Sequence, residues 1–428
     1  MSNHSTEAFE ALKQRLPDWA NRRPIAERYP DMDYGPLPVT PYICEEFFEQ
    51  ERAKIFKKMW LYVGRVERLP KAGDYFTQVI EAVRVNKNST SPSFIICRDN
   101  NGEIRAFYNT CQHRGTTVCW NNHETWDTAN RKYFTCRFHG WVYNTDGSLR
   151  SVPDEKLFFN LDKTTRGLKP VHCAVWKDFI FINVDPSPRQ TLLEQIKPHA
   201  EQLKDFPFER IRRRGIWTAT VNVNWKAAID AFQEGYHVGT VHAATLPEAF
   251  CGSLNPYCRP TSARIFPQGN RSVTFMVSPD FTPPAVENWV RRRGASWYAA
   301  ASGDSGSEFP GVNPDNDPFY AFDVHGVFPN LLVDPFIGGF YGHEFWPISV
   351  NKTRWIGSIN FLAPQKPSDL IANEHGKTLL RDAFREDTVT LEATQVGLES
   401  GAIETAVLCD MEIAPRHLYN SVVALVNG

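Results

Sequence analysis

Apolar positions recur along this chain in two rhythms. Between Cys44 and Phe56, the residues Phe47, Phe48, Ile55 and Phe56 fall near one side of a period of about 3.6 residues, which predicts a helix that Thr40-Pro41 can start. Ala8 to Leu16 has the spacing of a shorter amphipathic helix, and the proline-rich stretch Pro24 to Pro41 reads as extended connection. From Trp60 to Val184 the apolar runs shorten to strand length: Leu61–Val66, Tyr75–Ile80, Phe94–Arg98, Ile104–Thr110, Lys132–Thr135 and Phe179–Val184. Turn chemistry such as Asp99-Asn-Asn-Gly102 and Asn144-Thr-Asp-Gly147 separates them, and Asp185-Pro-Ser-Pro188 marks a boundary. Beyond it, Asn224 to His237 reads as a helix until Gly235 and Gly239 loosen it. Strand-like segments follow at Ser272–Val277, Val327–Val333, Gly339–Trp346 and Trp355–Leu362. A long helix then runs through Arg381 to Glu392, with Leu380, Phe384, Leu391 and Val396 near one face. The turn-rich stretch 300–318 is expected to be a surface loop in preference to a lid. The pattern predicts an α+β protein in three parts: a helical segment over 1–57, an all-β domain over 58–185 and a mixed domain over 186–428.

Composition adds limits. With 428 residues, 42% of them hydrophobic and 13% aromatic, the chain can bury a large core in two or three domain-sized units. A net charge of -2 gives no electrostatic reason to expect nucleic acid or an anionic membrane. No apolar run approaches about 20 residues, and the N-terminus lacks the basic and apolar segments of a signal peptide, so cytoplasm is the default expectation. Nine cysteines are an odd, scattered set that suits reduced thiols better than bridges. Cys44, Cys97, Cys119, Cys173, Cys251, Cys258 and Cys409 are read as small buried or incidental residues.

The remaining two cysteines carry chemistry. Cys111-Gln-His113-Arg114-Gly115 and Cys136-Arg137-Phe138-His139-Gly140-Trp141 each bring one thiol and one imidazole within a few residues. Two thiolates and two imidazoles can satisfy a structural zinc, although zinc-finger spacing usually places both cysteines in one half and both histidines in the other. A mixed pair in each half instead suits a [2Fe-2S] cluster with two cysteines on one iron and two histidines on the other, the Rieske arrangement. Gly115 and Gly140 suit tight loops whose backbone approaches such a cluster.

A second constellation follows the boundary. His237 and His242 are five residues apart, more than one helical turn, so they face one point only if the helix breaks between them. A lone histidine here would be an ordinary core residue. Two histidines with a carboxylate can hold a mononuclear iron(II) on one face and leave positions open for O2. Candidate carboxylates lie on the late helix at Asp382, Glu386 and Asp387. Phe232, Phe275, Phe328, Phe336 and Phe345 are available for an apolar pocket, though most are expected in plain core. The basic residues Arg210 to Arg214 read as solvated charge. Arg131, Lys132 and Arg137 read the same way, or as a dock for an acidic electron donor.

These motifs resemble the Rieske non-heme iron oxygenases, the large (α) subunits of ring-hydroxylating systems. C-x-H-R-G and C-x-x-H-G-W match that family's cluster motif, and N-W-K followed by an acidic residue, x-Y-H, four residues and H matches its iron segment. Arg137-Phe138 stands where the family commonly has Pro-Tyr, and the interval His113 to Cys136 is longer than usual, with an expected surface excursion around Asn121 to Asn130. The resemblance implies an all-β Rieske domain plus a helix-grip catalytic domain, with the cluster on Cys111, His113, Cys136 and His139. It implies a mononuclear iron on His237, His242 and Asp387, since the family's iron-binding Asp stands in an Asp-x4-Glu context that Asp387 and Glu392 fit. It further implies a terminal oxygenase that receives NAD(P)H-derived electrons through a reductase, with or without a ferredoxin. The expected assembly is a head-to-tail homotrimer, α3 or α3β3 with a small β subunit, in which Glu234 bridges His237 to His139 of the neighbouring subunit. Aromatic or other apolar substrates are expected first; oxidative removal of an N- or O-methyl group and oxidation of a quaternary amine are the alternative. A Rieske electron carrier and a zinc-stabilised binding module are more distant readings.

Overall fold

The computed structural model describes residues 24–120, 129–293 and 309–428. The helix expected over Ala8 to Leu16, most of the excursion Asn121 to Asn130 and the first part of 300–318 lie outside the described residues. Two compact units emerge, Glu49–Gln195 and Met1–Phe48 with Ile196–Gly428.

In the smaller unit the strands are β1 (Leu61–Arg65), β2 (Asp74–Val79), β3 (Ser93–Arg98), β4 (Ile104–Tyr108), β5 (Ala129–Asn130), β6 (Tyr133–Thr135), β7 (Val142–Asn144), β8 (Leu149–Ser151), β9 (Pro170–Trp176) and β10 (Phe179–Asn183). Among the described residues they form an antiparallel sheet in the order β1-β10-β9-β4-β3-β2-β5 and a three-stranded sheet β6-β7-β8. The expected turn at Asp99 to Gly102 joins β3 to β4, and the one at Asn144 to Gly147 joins β7 to β8; Gly102 and Gly147 take φ of +90° and +89°. Strands β7, β8 and β9 escaped the sequence reading because two are three residues long and the third, PVHCAVW, alternates weakly. Tyr75, Ile95, Phe107, Phe134, Trp141 and Tyr143 pack into one core cluster that also holds Cys111 and Cys136. Each fully buried aromatic ring contributes about 1.5–3 kcal/mol.

The larger unit is built on a second antiparallel sheet of β11 (Ile211–Val221), β12 (Ser262–Ile265), β13 (Arg271–Met276), β14 (Tyr320–Val327), β15 (Leu331–Phe336), β16 (Gly339–Ser349) and β17 (Lys352–Leu362). Its order is β11-β17-β16-β15-β14-β13-β12 among the described residues. The single strand expected over Val327–Val333 is a hairpin corner: β14 ends at Val327, and β15 begins at Leu331 after Phe328-Pro329-Asn330. Proline has no N–H for a sheet ladder, so pairing breaks there. Arg210 to Arg214, read as solvated charge, opens edge strand β11, in which Ile211 is buried and Arg212 exposed.

Helices α1 (Trp225–Asp230), α2 (Val238–Val241), α3 (Pro367–Glu399) and α4 (Ile413–Asn427) belong to the same unit. On α3, Leu380, Phe384 and Leu391 are buried as expected, whereas Val396 is 70% exposed. At about 100° per residue, Val396 sits nearly opposite Leu380, and Gln395 and Leu398 take the inward positions instead. Thr40-Pro41 starts a separate turn, Thr40–Ile43, because Cys44 is extended before the helix Glu45–Glu51 begins. No helix among the described residues is long and apolar enough to cross a membrane.

Candidate active site

The two Cys-His loops of the smaller unit are built alike. Cys111 N donates to Thr116 O at 2.8 Å and Gly115 N to Cys111 O at 3.0 Å; Cys136 N donates to Trp141 O at 2.8 Å and Gly140 N to Cys136 O at 3.0 Å. Closing so tight a loop requires positive φ, and Gly115 and Gly140 have +81° and +72°. The repeated geometry buries both cysteines and leaves His113 and His139 towards the surface, their Nδ1 atoms 3.1 Å apart. Trp141 stacks on His113 at 4.9 Å and 8°. Tyr143 was missed in the sequence: its hydroxyl lies 3.2 Å from Cys111 Sγ and accepts from Gln112 N at 2.9 Å. A thiolate edge backed by a hydroxyl and an imidazole edge facing outward fit a bimetallic cluster with mixed ligands. Arg131 Nε donates to the Tyr75 hydroxyl and Arg137 lies over Trp120, so both basic residues have local partners, and Lys132 lies over Tyr133.

In the larger unit, Asn224 caps α1 by accepting from Lys226 N, and the helix ends at Asp230. The chain then turns through Gly235 into α2, and the break expected between the two histidines is absent: His237 and His242 cap the two ends of this single helical turn, which brings both rings to one point. A Cβ on Gly235 would come within 2.2 Å of Cys258 O and 2.7 Å of Cys258 Sγ, so only glycine fits the turn. His237 Nε2 and His242 Nε2 end 3.3 Å apart. Asp387, from α3, places Oδ1 3.2 Å from His242 Nε2 and 3.6 Å from His237 Nε2. Among the described residues, these three form the group whose donor atoms all lie within 4.8 Å of one another; the Cys and His of the two loops are not drawn around one point in this way.

The opposite nitrogens are also held. His237 Nδ1 pairs with Glu234, which also accepts from Tyr236 N, and His242 Nδ1 lies 2.9 Å from Glu386 Oε2. Carboxylates on both Nδ1 atoms fix the tautomer that presents Nε2 to a metal. Burial pushes His242 down, but the Asp387 and Glu386 carboxylates outweigh it and raise its pKa above the ordinary value. The donor set therefore fits a divalent iron on two imidazoles and one carboxylate. Asp382 is turned outward and pairs with Arg381, while Glu392 accepts from Asn222 N and Nδ2, both at 2.9 Å, and ties the strand end ahead of α1 to α3.

A half-open cavity of about 100 Å³ adjoins the three donors. Of the five phenylalanines available for a pocket, Phe232 and Phe275 line it, together with Phe250, Phe322, Tyr341 and Phe384, whereas Phe328, Phe336 and Phe345 are buried in core and do not line it. Cys258, read as incidental, is on the wall. Asp334 and His343 are there too, and sequence reasoning missed them. The available signal was a lone Asp and a lone His at inward positions of otherwise apolar strands.

Comparison with known proteins adds context. The family model for the ring hydroxylating alpha subunit (catalytic domain) matches residues 208–428, and that for the Rieske [2Fe-2S] domain matches residues 59–163. The chain is 36% identical over 235 residues to the biphenyl 2,3-dioxygenase subunit alpha of Rhodococcus jostii (strain RHA1), covering 54% of this chain and 48% of that protein. It is 29% identical over 209 residues to the carnitine monooxygenase oxygenase subunit of Escherichia coli (strain K12), covering 48% of this chain and 52% of that protein. The match thus spans about half the length of these curated relatives. Among solved structures, naphthalene 1,2-dioxygenase from Rhodococcus sp. bound to indole aligns over 99% of this chain and 98% of its own, with a TM-score of 0.71 and 20% identity. The quaternary ammonium Rieske monooxygenase CntA with gamma-butyrobetaine aligns over 96% and 99%, with a TM-score of 0.67 and 19% identity. At these identities the structural likeness speaks for the fold.

Proposed function

The chain belongs to the ring hydroxylating alpha subunit family, with a Rieske [2Fe-2S] domain preceding the catalytic domain, and on that premise we propose that it is the terminal oxygenase of a multicomponent system. It uses O2 and NAD(P)H-derived electrons to oxygenate an aromatic or other apolar small molecule. The observation that carries this reading is the convergence of His237, His242 and Asp387 beside an aromatic-lined cavity. Iron(II) on these residues supplies O2 binding and activation, and a cluster on Cys111, His113, Cys136 and His139 supplies electrons one at a time. The protein's own part is to position. Glu234 and Glu386 hold the two imidazoles, and Phe232, Phe275, Phe322 and Phe384 hold the apolar body of the substrate.

The partners are a reductase, with or without a ferredoxin. The chain assembles head to tail in a cyclic trimer, in which Glu234 also accepts from His139 of the partner subunit and links the cluster to the iron site. A second reading, oxidation of a quaternary amine or removal of an N- or O-methyl group, is supported by the likeness to carnitine monooxygenase. The test is iron analysis with electron paramagnetic resonance of the purified protein, followed by substrate-dependent NADH and O2 consumption with a surrogate reductase. Three irons per chain, a Rieske signal on reduction and substrate-coupled O2 uptake are expected. Colourless zinc protein, or two irons and no O2 uptake with any apolar or amine substrate, would overturn the oxygenase reading.

A further inference from the structure

The sheet side of the cavity carries Phe275, Phe322, Asp334, Tyr341 and His343. Strand register makes this one face, since Phe275 pairs with Phe322 and Asp334 with Tyr341 on adjacent strands. One polar chain crosses the aromatic wall. Trp355 Nε1 donates to His343 Nδ1 at 3.2 Å. An indole N–H only donates, so the histidine proton must sit on Nε2. That N–H faces Asp334 Oδ2 at 3.2 Å. His343 therefore reaches Asp334 as a neutral donor and brings no positive charge to it.

Asp334 is 4% exposed, and its Oδ1 has no hydrogen-bond partner. A buried carboxylate oxygen without a partner is costly, and low local dielectric raises that cost. Glu234, Asp334 and Asp387 line the cavity, and no Lys or Arg is among the described lining residues. With a divalent ion on the His237/His242/Asp387 group balancing Glu234 and Asp387, an ionised Asp334 leaves the wall with excess negative charge. A carboxylate substrate would be repelled, and a plain hydrocarbon would leave Oδ1 unpaired. A quaternary ammonium has no N–H to donate.

We infer that the cavity selects a small aromatic molecule bearing a protonated amine, which draws the enclosed Asp334 Oδ1 towards it to accept its N–H while its apolar body packs on Phe275, Phe322 and Phe384. Asp334 is then the residue that sets specificity, and His343 positions it. Burial pushes the Asp334 carboxyl above its ordinary value, and an ammonium at hydrogen-bond distance acts in the opposite direction. Aromatic faces add cation–π attraction to the same cation. The inference rests on the oxygenase reading for the fate of the ligand, and on the cavity alone for its binding.

The test is calorimetric binding to the iron-loaded protein, without reductase, of benzylamine, 2-phenylethylamine and 3-phenylpropylamine. Comparison ligands are their methyl isosteres, 3-phenylpropionate and benzyltrimethylammonium. At least one amine should bind about tenfold or more tightly than its methyl isostere, with the anion and the quaternary ion weaker. Asp334→Leu should erase or invert that preference, and Asp334→Asn, close to the native shape, should weaken it while keeping the fold and iron content. Lack of saturable binding by all three amines would overturn the inference, as would equal or better binding of the isosteres, the anion or the quaternary ion, or an amine preference that survives in Asp334→Leu. Amine binding without O2 uptake would count against the oxygenase reading instead, and O2 uptake with hydrocarbons without amine preference would count against Asp334 alone.

Discussion

Glu386 Oε2 stands 2.9 Å from Nδ1 of His242, on the opposite edge of the ring from the nitrogen that Asp387 approaches. Consecutive residues of one helix thus serve the two sides of one imidazole, and they should separate cleanly on substitution. Asp387→Ala is expected to keep the red-brown cluster colour and lose the mononuclear iron and turnover. Glu386→Ala is expected to keep the iron site but weaken it about 10–100-fold. Iron titration of the reconstituted variants measures both, and full iron occupancy in Asp387→Ala would move the ligand role to Glu386 or Asp382.

The hydroxyl of Tyr143 beside Cys111 Sγ gives a prediction for the cluster. A donor to a ligating sulfur stabilises the extra negative charge of the reduced state. Tyr143→Phe should lower the reduction potential by on the order of 40 mV, the one-electron equivalent of about 1 kcal/mol. Voltammetry reads this directly, and an unchanged potential would mean that the hydroxyl does not donate to the thiolate.

Glu234 already serves His237 and the backbone of its own chain, so its proposed link to the partner subunit needs a test of its own. Glu234→Gln should retain both metal sites and lose most coupled turnover, because an amide cannot accept from both imidazoles. Mixing His113→Ala, which should lack the cluster chromophore, with Asp387→Ala after dissociation and reassembly should restore activity. Verified mixed oligomers without activity would sink the inter-subunit relay.

A buried histidine pair makes the larger unit sensitive to acid. His199 Nε2 donates to Gly326 O at 3.1 Å, so its Nδ1 accepts from His325 Nδ1 at 3.0 Å, and both rings are neutral. Burial pushes His199 down to about 4 and His325 well below its ordinary value. Below about pH 6.5 the unfolded chain takes up protons that the folded chain refuses. Stability is therefore full above that pH and falls towards pH 4, by about 1.4 kcal/mol per pH unit for each ring. Urea unfolding of His325→Leu at pH 7, 6 and 5 should show a decline shallower by that amount, and parallel declines would remove His325 as a source of the effect.

The sequence by itself determined what is local. Cys111 to Gly115 and Cys136 to Gly140 close on themselves with matching hydrogen bonds and positive-φ glycines, so spacing alone revealed the cluster loops. His237 and His242 were legible as a pair from their nearness in sequence, although the break expected between them is instead one helical turn that they cap at either end. What depends on phase and register was not. Asp382, Glu386 and Asp387 are equivalent as acids, and only the rotation of α3 turns Asp387 towards the imidazoles, Glu386 to the far nitrogen and Asp382 outward. The same rotation exposes Val396. Asp334 and His343 became site residues only when β15 and β16 paired in a register that puts both on the inward face. In a strand, a shift of one residue reverses the face of every side chain. The chemistry of the cavity wall is therefore a property of the folded sheet, decided by pairings between segments that no local pattern connects.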